Sequence, residues 1–442
     1  MKPQYISDQF LPYFIGILII FGGAILSNAQ TVDNQLSNDS YGDSLSLENV
    51  VRDVIQHNDK AAAANYMEKA TIEKIGLAGA WDDPMLMIGV QNVPTNFDFK
   101  MDPMTMKMIG ISQNIPYAGQ KSLQSKAALA DALVSHEDTR NTQIDLATAA
   151  NYAYFDLYFR QEDLKYIQDQ QNLQAQIVSA AMARLRTNQA SQADVAAAEA
   201  DLWRLESDSL SLRQDIESAQ NNLLALIGVD LKTEFPFLSE PSQPLLPQSA
   251  DIWYAQAEDN YPPLLKMRQQ SRGYAFSAAA AQRMRWPMLN LSASYGIRQS
   301  TMMDKRDNMV SFQANFSLPI FQGNQQRKMA NSMEAMRKST DFETSQMQRD
   351  IKADITNLYE KSSRLIQSLK LYNDQIIPAD QDALTSALSG YTANQIPFAN
   401  LLAYANAIYR DKIAANQISY DLARTMADAQ RYYINPDKWN EK

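Results

Sequence analysis

Two segments of the chain alternate between apolar and polar positions. Between 287 and 299, Leu289, Leu291, Ala293, Tyr295 and Ile297 alternate with Asn290, Ser292, Ser294, Gly296 and Arg298. Between 308 and 319, Val310, Phe312, Ala314, Phe316 and Leu318 alternate with Ser311, Gln313, Asn315 and Ser317. Successive strand side chains point to opposite faces, so period two predicts a sheet with one apolar and one polar face. Two earlier segments, about 84–94 and 104–116, are expected to be strands of the same kind. On pattern alone the sheet could cover a soluble core or form the wall of a barrel.

The rest reads as helix. From Gly119 to about Leu185 no Pro or Gly interrupts some 65 residues, on the order of 100 Å at ~1.5 Å per residue. Tyr154, Leu157, Leu164 and Ile167 form a narrow apolar stripe on it, spaced as in a coiled coil, which requires partner helices. A break at Asn188–Ser191 precedes a second helix, whose start Ser191-Gln192-Ala193-Asp194 has capping-box spacing. The later break Asn394-Gln395-Ile396-Pro397 uses proline, preset for a first helical turn.

These elements repeat. Pro84 and Pro287, each ahead of a strand, lie 203 residues apart, as do Pro116 and Pro319 at the strand ends. Leu185-Arg186-Thr187-Asn188-Gln189 matches Tyr391-Thr392-Ala393-Asn394-Gln395 at an offset of 206. The chain is therefore read as a tandem duplication of helix, strand, strand, helix, helix. The first repeat covers 46–228, with a leading amphipathic helix over about 46–80 and a hairpin over 119–228. The second covers 250–432, with a leading helix over about 250–284 and a hairpin over 323–432. A Pro-rich connector, 229–249, joins them, and 433–442 is a tail.

Composition narrows the setting. Tyr13–Leu26 is a 14-residue apolar run followed by Ser27-Asn28-Ala29, the layout of a secretory signal peptide over 1–29, with an extension over 30–45 behind it. An uncleaved anchor is the alternative, although the run is short of the ~20 residues a helical span needs. Mean hydropathy is −0.38 and no later run is long enough for a helical span, so membrane entry would be through β-strands. There is no cysteine, hence no disulfide framework and no acylated N-terminal cysteine. A net charge of −10 argues against nucleic acid as a partner. Secretion, flanking aromatics (Trp81, Tyr117, Trp286, Phe321) and strand length together favour a transmembrane barrel with its apolar face on lipid. Four strands cannot close one, because the smallest membrane barrels have eight, so protomers must share it.

Leu45-Ser46-Leu47-Glu48-Asn49-Val50, Ile111-Ser112-Gln113-Asn114-Ile115-Pro116 with Gly119-Gln120-Lys121, and the helix-turn signatures at 185–195 and 391–402 occur here in duplicate order. In this arrangement the chain resembles the TolC-type outer-membrane factors of tripartite efflux systems. The resemblance implies a mainly α fold with a β-barrel portion: a homotrimer with a shared 12-stranded outer-membrane barrel and a long periplasmic helical barrel. It further implies a periplasmic adaptor protein and an inner-membrane pump as partners, Gram-negative outer-membrane lipid as surroundings, and no cofactor. Gln91-Asn92-Val93-Pro94 and the Met-rich stretch after Met101 look like the branch serving heavy-metal pumps of the resistance-nodulation-division type, for copper and silver or for cobalt, zinc and cadmium. Drug export and type I peptide secretion are the alternatives.

The family's tip gate uses a tyrosine and an aspartate clamped by an arginine. Tyr391 and Asp194 stand at the first two positions, Ile396 at the arginine's, and Asn400 where a constricting acid is expected; Arg184 or Arg186 is the substitute clamp. Asp194 reads equally as a plain helix cap. Adaptor docking is expected at Asn188, Gln189, Ala190 and Ser191 and at Asn394, Gln395 and Pro397. Met104, Met106 and Met108 would share one strand face with Gly110, Ser112 and Asn114, where thioethers suit Cu(I) or Ag(I); methionine is also an adaptable apolar filler.

Two other classes compete with a passive duct. An enzyme is disfavoured, since His57 and His136 are the only histidines and no phosphate loop or zinc-binding H-E-x-x-H is present. A structural periplasmic coiled coil would account for the helices but not for the duplicated strands.

Overall fold

The computed structural model describes residues 44–228, 237–242, 246–300, 304–317 and 322–439. The expected signal peptide, nearly all of the N-terminal extension, part of the connector, and Leu318, Pro319 and Phe321 lie outside them. The described chain is mostly helical with one small antiparallel sheet.

The first repeat opens with a two-residue strand β1 (Ser44–Leu45), then α1 (Leu47–His57) and α2 (Asp59–Gly79). Strands β2 (Met85–Gln91) and β3 (Met106–Ile115) lead into the hairpin α3 (Gln120–Arg186) and α4 (Gln192–Ile227). A short strand β4 (Phe237–Leu238) follows. The order then recurs as α5 (Ala250–Asn260), α6 (Pro262–Arg283), β5 (Leu289–Arg298), β6 (Met309–Phe316), α7 (Gln322–Leu371), α8 (Ile377–Thr392) and α9 (Phe398–Tyr433).

Each leading helix, expected to be continuous, is broken. Asn58 turns out of α1 in extended conformation, caps α2 by accepting from the Lys60 amide at 2.9 Å, and donates its side chain to the Leu226 carbonyl at 2.9 Å. Tyr261 breaks the second, because Pro262 at the start of α6 has no amide to continue α5. In the first, α1 behaves as amphipathic, burying Val50, Val51, Val54 and Ile55, whereas Ala61 alone is buried on α2.

The second long helix is also interrupted. Tyr372–Ile376 form a wide π-helical turn just before Pro378, whose ring would otherwise clash with the preceding turn. The repeat offset rises from 203 at the prolines to 206 at the tips, so the stretch between them carries three extra residues, and the wide turn lies in it.

The core is distributed along the length rather than gathered in one globule. Val50, Val54, Leu157, Leu223 and Ile227 join α1, α3 and α4; Trp253, Leu264, Ile355 and Met426 join the second repeat's helices; Ile177, Ala198, Leu384 and Leu401 fill the space near the tips. The hydroxyl of the fully buried Tyr154 shares its one proton between the Leu45 and Ser239 carbonyls at 2.9 and 2.6 Å, tying the parallel β1–β4 pair onto α3.

Helix contacts run in rows. Toward the sheet, α3 touches α2 and α6, and α6 touches α7; toward the tips, α3 touches α4 and α9, and α9 touches α7 and α8. The helices ending these rows leave large apolar side chains bare: Tyr66 and Leu77 on α2, Trp203 (70% exposed) and Leu210 on α4, and Phe342 (76%) on α7. Among the described residues no helix is long and apolar enough to cross a membrane.

Candidate functional site

The sheet order is β2-β3-β5-β6, all antiparallel, with β2 and β6 as open edges. All four strands are shorter than the pattern predicted. Thr105 stands ahead of β3, donating its hydroxyl to the Asn92 carbonyl at 2.6 Å where the chain leaves the ladder for the 92–105 loop.

Register sorts the side chains, because directly opposed residues share a face. One face carries Leu86, Ile88, Val90, Ile109, Ile111, Leu291, Tyr295, Ile297, Val310, Phe312 and Phe316; Phe312 is 81% exposed. The other opposes Asn114 to Asn290 and Ser112 to Ser292, and Asn290 in turn to Asn315. The Asn290 amide donates to Asn114 Oδ1 at 2.7 Å, so polar side chains pair across the strands there.

Met106 and Met108 lie on this polar face, but Met104 does not lie on the strand. It precedes β3 in a turn where Asp102 Oδ1 accepts from the Met104 amide at 2.7 Å. An Asx turn took the position that alternation had assigned to the strand. Met85 and Met87 from β2 and Met309 from β6 share the face with them. Sequence reasoning missed these three, although the two-residue spacing of Met85, Met87 and Gly89 was a readable signal.

The second candidate region is the pair of hairpin tips. Both close with the same left-handed residue, Asn188 at φ 57° and Asn394 at φ 61°. At each, the next amide reaches back five residues (Gln189 to Arg184, 2.9 Å; Gln395 to Gly390, 2.7 Å), and the asparagine amide reaches back three. This is the Schellman arrangement, which satisfies helix-end carbonyls and tolerates Asn where a left-handed backbone is needed. Gly390 leaves room for Ile396: a Cβ there would fall 3.3 Å from its Cγ2.

Arg184 joins the two tips. Its guanidinium donates to the Tyr391 carbonyl and to Asn394 Oδ1, reaches the Gln189 carbonyl at 3.1 Å, and stacks 4.2 Å from the Tyr391 ring centroid. Tyr391 also meets Phe398 edge-on, centroids 5.8 Å apart. Its hydroxyl is buried without a hydrogen-bond partner, and burial raises its pKa, with the Asp194 charge adding and Arg184 opposing. Asp194 and Ser191 form a reciprocal capping box: Asp194 Oδ2 accepts from the Ser191 amide at 3.0 Å, and the Asp194 amide donates to Ser191 Oγ at 3.1 Å. Asp194 thus makes no hydrogen bond to Tyr391 within the protomer. Ile396 packs partly buried against the tip core. Arg186, Asn188, Gln189, Ser191, Asn394, Gln395, Pro397 and Asn400 are exposed, while Ala190 is half-buried.

Among the described residues no cluster of His, Cys, Asp or Glu could hold a metal ion. Residues 253–428 match the model of a family described as outer membrane efflux protein. No curated protein shows significant similarity to the sequence. Among solved structures the chain is similar to CusC, at 14% identity and a TM-score of 0.74, over 88% of this chain and 92% of that one. It is similar to VceC, an outer membrane protein of Vibrio cholerae, at 15% identity and 0.71, over 88% and 95%. It is also similar to the open state of the Neisseria gonorrhoeae outer membrane channel MtrE, at 14% identity and 0.70, over 88% of each. At these identities the likeness is one of fold.

Proposed function

We propose that this chain is one protomer of a homotrimeric exit duct in the outer membrane of a Gram-negative bacterium, with its helices extending into the periplasm. The observation that carries the reading is a four-stranded sheet with two unpaired edges, one bare apolar face and one polar face. In water such a sheet exposes both an aggregation-prone edge and a wide apolar surface. Three copies joined edge to edge would make a closed twelve-stranded barrel, with Phe312 and its neighbours on lipid and Ser292, Gln313 and Asn290 on the lumen. The bare side chains at the ends of the helix rows, Trp203 and Leu210 on α4 against α7 and α8 of the next copy, would then be covered in the same closure. The family match over 253–428 and the fold shared with CusC, VceC and MtrE support an efflux role.

The duct performs no covalent chemistry in this reading. The tips furthest from the sheet receive a periplasmic adaptor, through which an inner-membrane pump of the resistance-nodulation-division type delivers its cargo. Asn188, Gln189, Ala190 and Ser191 with Asn394, Gln395 and Pro397 form that docking surface. Arg184, Tyr391 and Asp194 set the resting aperture, with Ile396 packed beneath, Asn400 facing out and Arg186 free for a neighbouring copy. The test is the native mass and planar-bilayer conductance of the full chain in detergent. Three chains and a discrete pore are expected, and Trp203→Glu with Leu210→Glu should shift the mass toward one chain. A folded, non-conducting monomer released by osmotic shock would overturn the reading in favour of a periplasmic spacer.

A further inference from the structure

The distribution of methionine over the two faces of the sheet is opposite to what apolar filling would give. The apolar face, built from Leu, Ile, Val, Ala, Phe and Tyr apart from Lys107 and Gln113 on β3, carries no methionine among its described strand positions. The polar face carries five: Met85, Met87, Met106, Met108 and Met309. A flexible apolar gap-filler belongs in a core or on lipid, whereas Met85, Met87 and Met309 stand open on this face and gain little of the usual burial energy. What distinguishes methionine from leucine on a wet surface is its sulfur.

Three of the five converge on one glycine. Gly296 stands directly between Met108 on β3 and Met309 on β6, in register with both. Met106 comes from the neighbouring row, and its thioether lies over the same spot, since a Cβ on Gly296 would fall 2.5 Å from Met106 Sδ. Gly89 flanks Met108 on the other side, and no atom lies within 4 Å of where its Cβ would be. Glycine inside a strand weakens it and often marks a place where a ligand or another backbone approaches closely. The Met108 and Met309 backbones are about 10 Å apart, two interstrand spacings, and each side chain has three rotatable bonds with which to reach over the gap. Met106 is buried while Met309 remains open to the face, so the site has a floor and an entrance.

We propose that Met106, Met108 and Met309 form a thioether site over Gly296 that takes a soft monovalent cation, Cu(I) or Ag(I). Thioethers select such ions over hard divalent cations, which prefer oxygen. The chain has no cysteine to compete, and no His, Cys, Asp or Glu cluster among the described residues offers a harder alternative. This deepens the duct reading by naming a class of cargo, and it rests on that reading for access from the lumen.

The test is Ag(I) binding, as silver nitrate, to the full-length protein in detergent, by equilibrium dialysis with X-ray absorption at silver to report sulfur neighbours. Conductance is recorded on the same preparations. One Ag(I) per chain with a sulfur shell is expected. Changing Met106, Met108 and Met309 together to Leu should weaken it at least about tenfold, while Met85→Leu with Met87→Leu should leave it intact. Met108→Leu alone, the mildest change, should weaken binding to an intermediate degree. A triple variant that binds as tightly as wild type, or a wild type without sulfur neighbours at silver, overturns the site. A normal pore with no silver binding sinks only this proposal, and silver binding without a pore sinks the duct reading.

Discussion

Arg184 is the side chain on which the geometry of the two tips turns, and its removal gives the sharpest expectation. Arg184→Ala deletes the donors to the Tyr391 carbonyl and Asn394 Oδ1, the bond to the Gln189 carbonyl and the stack on the Tyr391 ring. Charged hydrogen bonds contribute about 1.5–3 kcal/mol each when buried. The tip is partly exposed, so about 1 kcal/mol for each of the two bonds between hairpins is the fitting value, with about 0.5–1 kcal/mol for the stack. The expected local loss is therefore about 2.5–3 kcal/mol. At about 1.4 kcal/mol per tenfold, that is roughly a 60- to 140-fold rise in local opening. Amide hydrogen exchange reads this directly, because the Gln395 amide is held at 2.7 Å by the Gly390 carbonyl inside the affected turn. Arg184→Lys keeps the charge and loses the planar fork, so it should give roughly half the effect in free energy. Unchanged exchange at Asn394–Ile396 in Arg184→Ala would refute the view that this arginine joins the hairpins.

Two further outcomes follow from the sheet and from a carboxyl pair in the second hairpin. Phe312→Arg on the apolar face should cost about 2–4 kcal/mol near the bilayer midplane in a urea titration of vesicle-inserted protein, whereas Gln313→Arg on the opposite face should insert normally and change conductance; equal costs would mean that the sheet is not a membrane wall. Asp380 on α8 has a raised pKa, through burial first and then the facing Asp411 of α9, with Arg410 opposing, and its buried Oδ2 lacks a partner that a proton would supply. A folded pKa above the unfolded value means that the folded state binds more protons between the two, so stability should rise as pH falls through the folded pKa. Melting in detergent should be higher at mildly acidic pH than at pH 7, and Asp380→Asn should raise the pH 7 value and flatten the dependence; a wild-type profile in Asp380→Asn would remove Asp380 as the source.

Much of this architecture was legible along the chain because its signals are local and periodic. Alternation at Leu289–Ile297 and Val310–Phe316 marked the strands, since a pleated backbone sorts side chains by parity alone. The recurring Thr-Asn-Gln and Ala-Asn-Gln triplets marked the tips, since a Schellman turn needs a residue that accepts a left-handed backbone at one position. The capping box at Ser191 and Asp194 was readable for the same reason: both partners lie within one turn.

Tertiary structure decided what depended on partners distant in sequence. Asn58 could have continued its helix; the Leu226 carbonyl, 168 residues away, gives its side chain a better use at the break. Arg184 and Arg186 were equivalent candidates in sequence, and only the packing of the α3 end against the tip of the α8–α9 hairpin turned the first toward Tyr391 and left the second in solvent. Met104 matched the parity of Met106 and Met108, yet the ladder ends at Gln91 opposite Met106, so its residue lies in a turn. Gly296 became the centre of a sulfur-lined face only once β3 and β6 paired with β5 in one register. Periodicity reports which side of its own element a residue occupies; which residues it meets is set by long-range register and packing, where the choice is made by hydrogen bonds and burial summed over the whole fold.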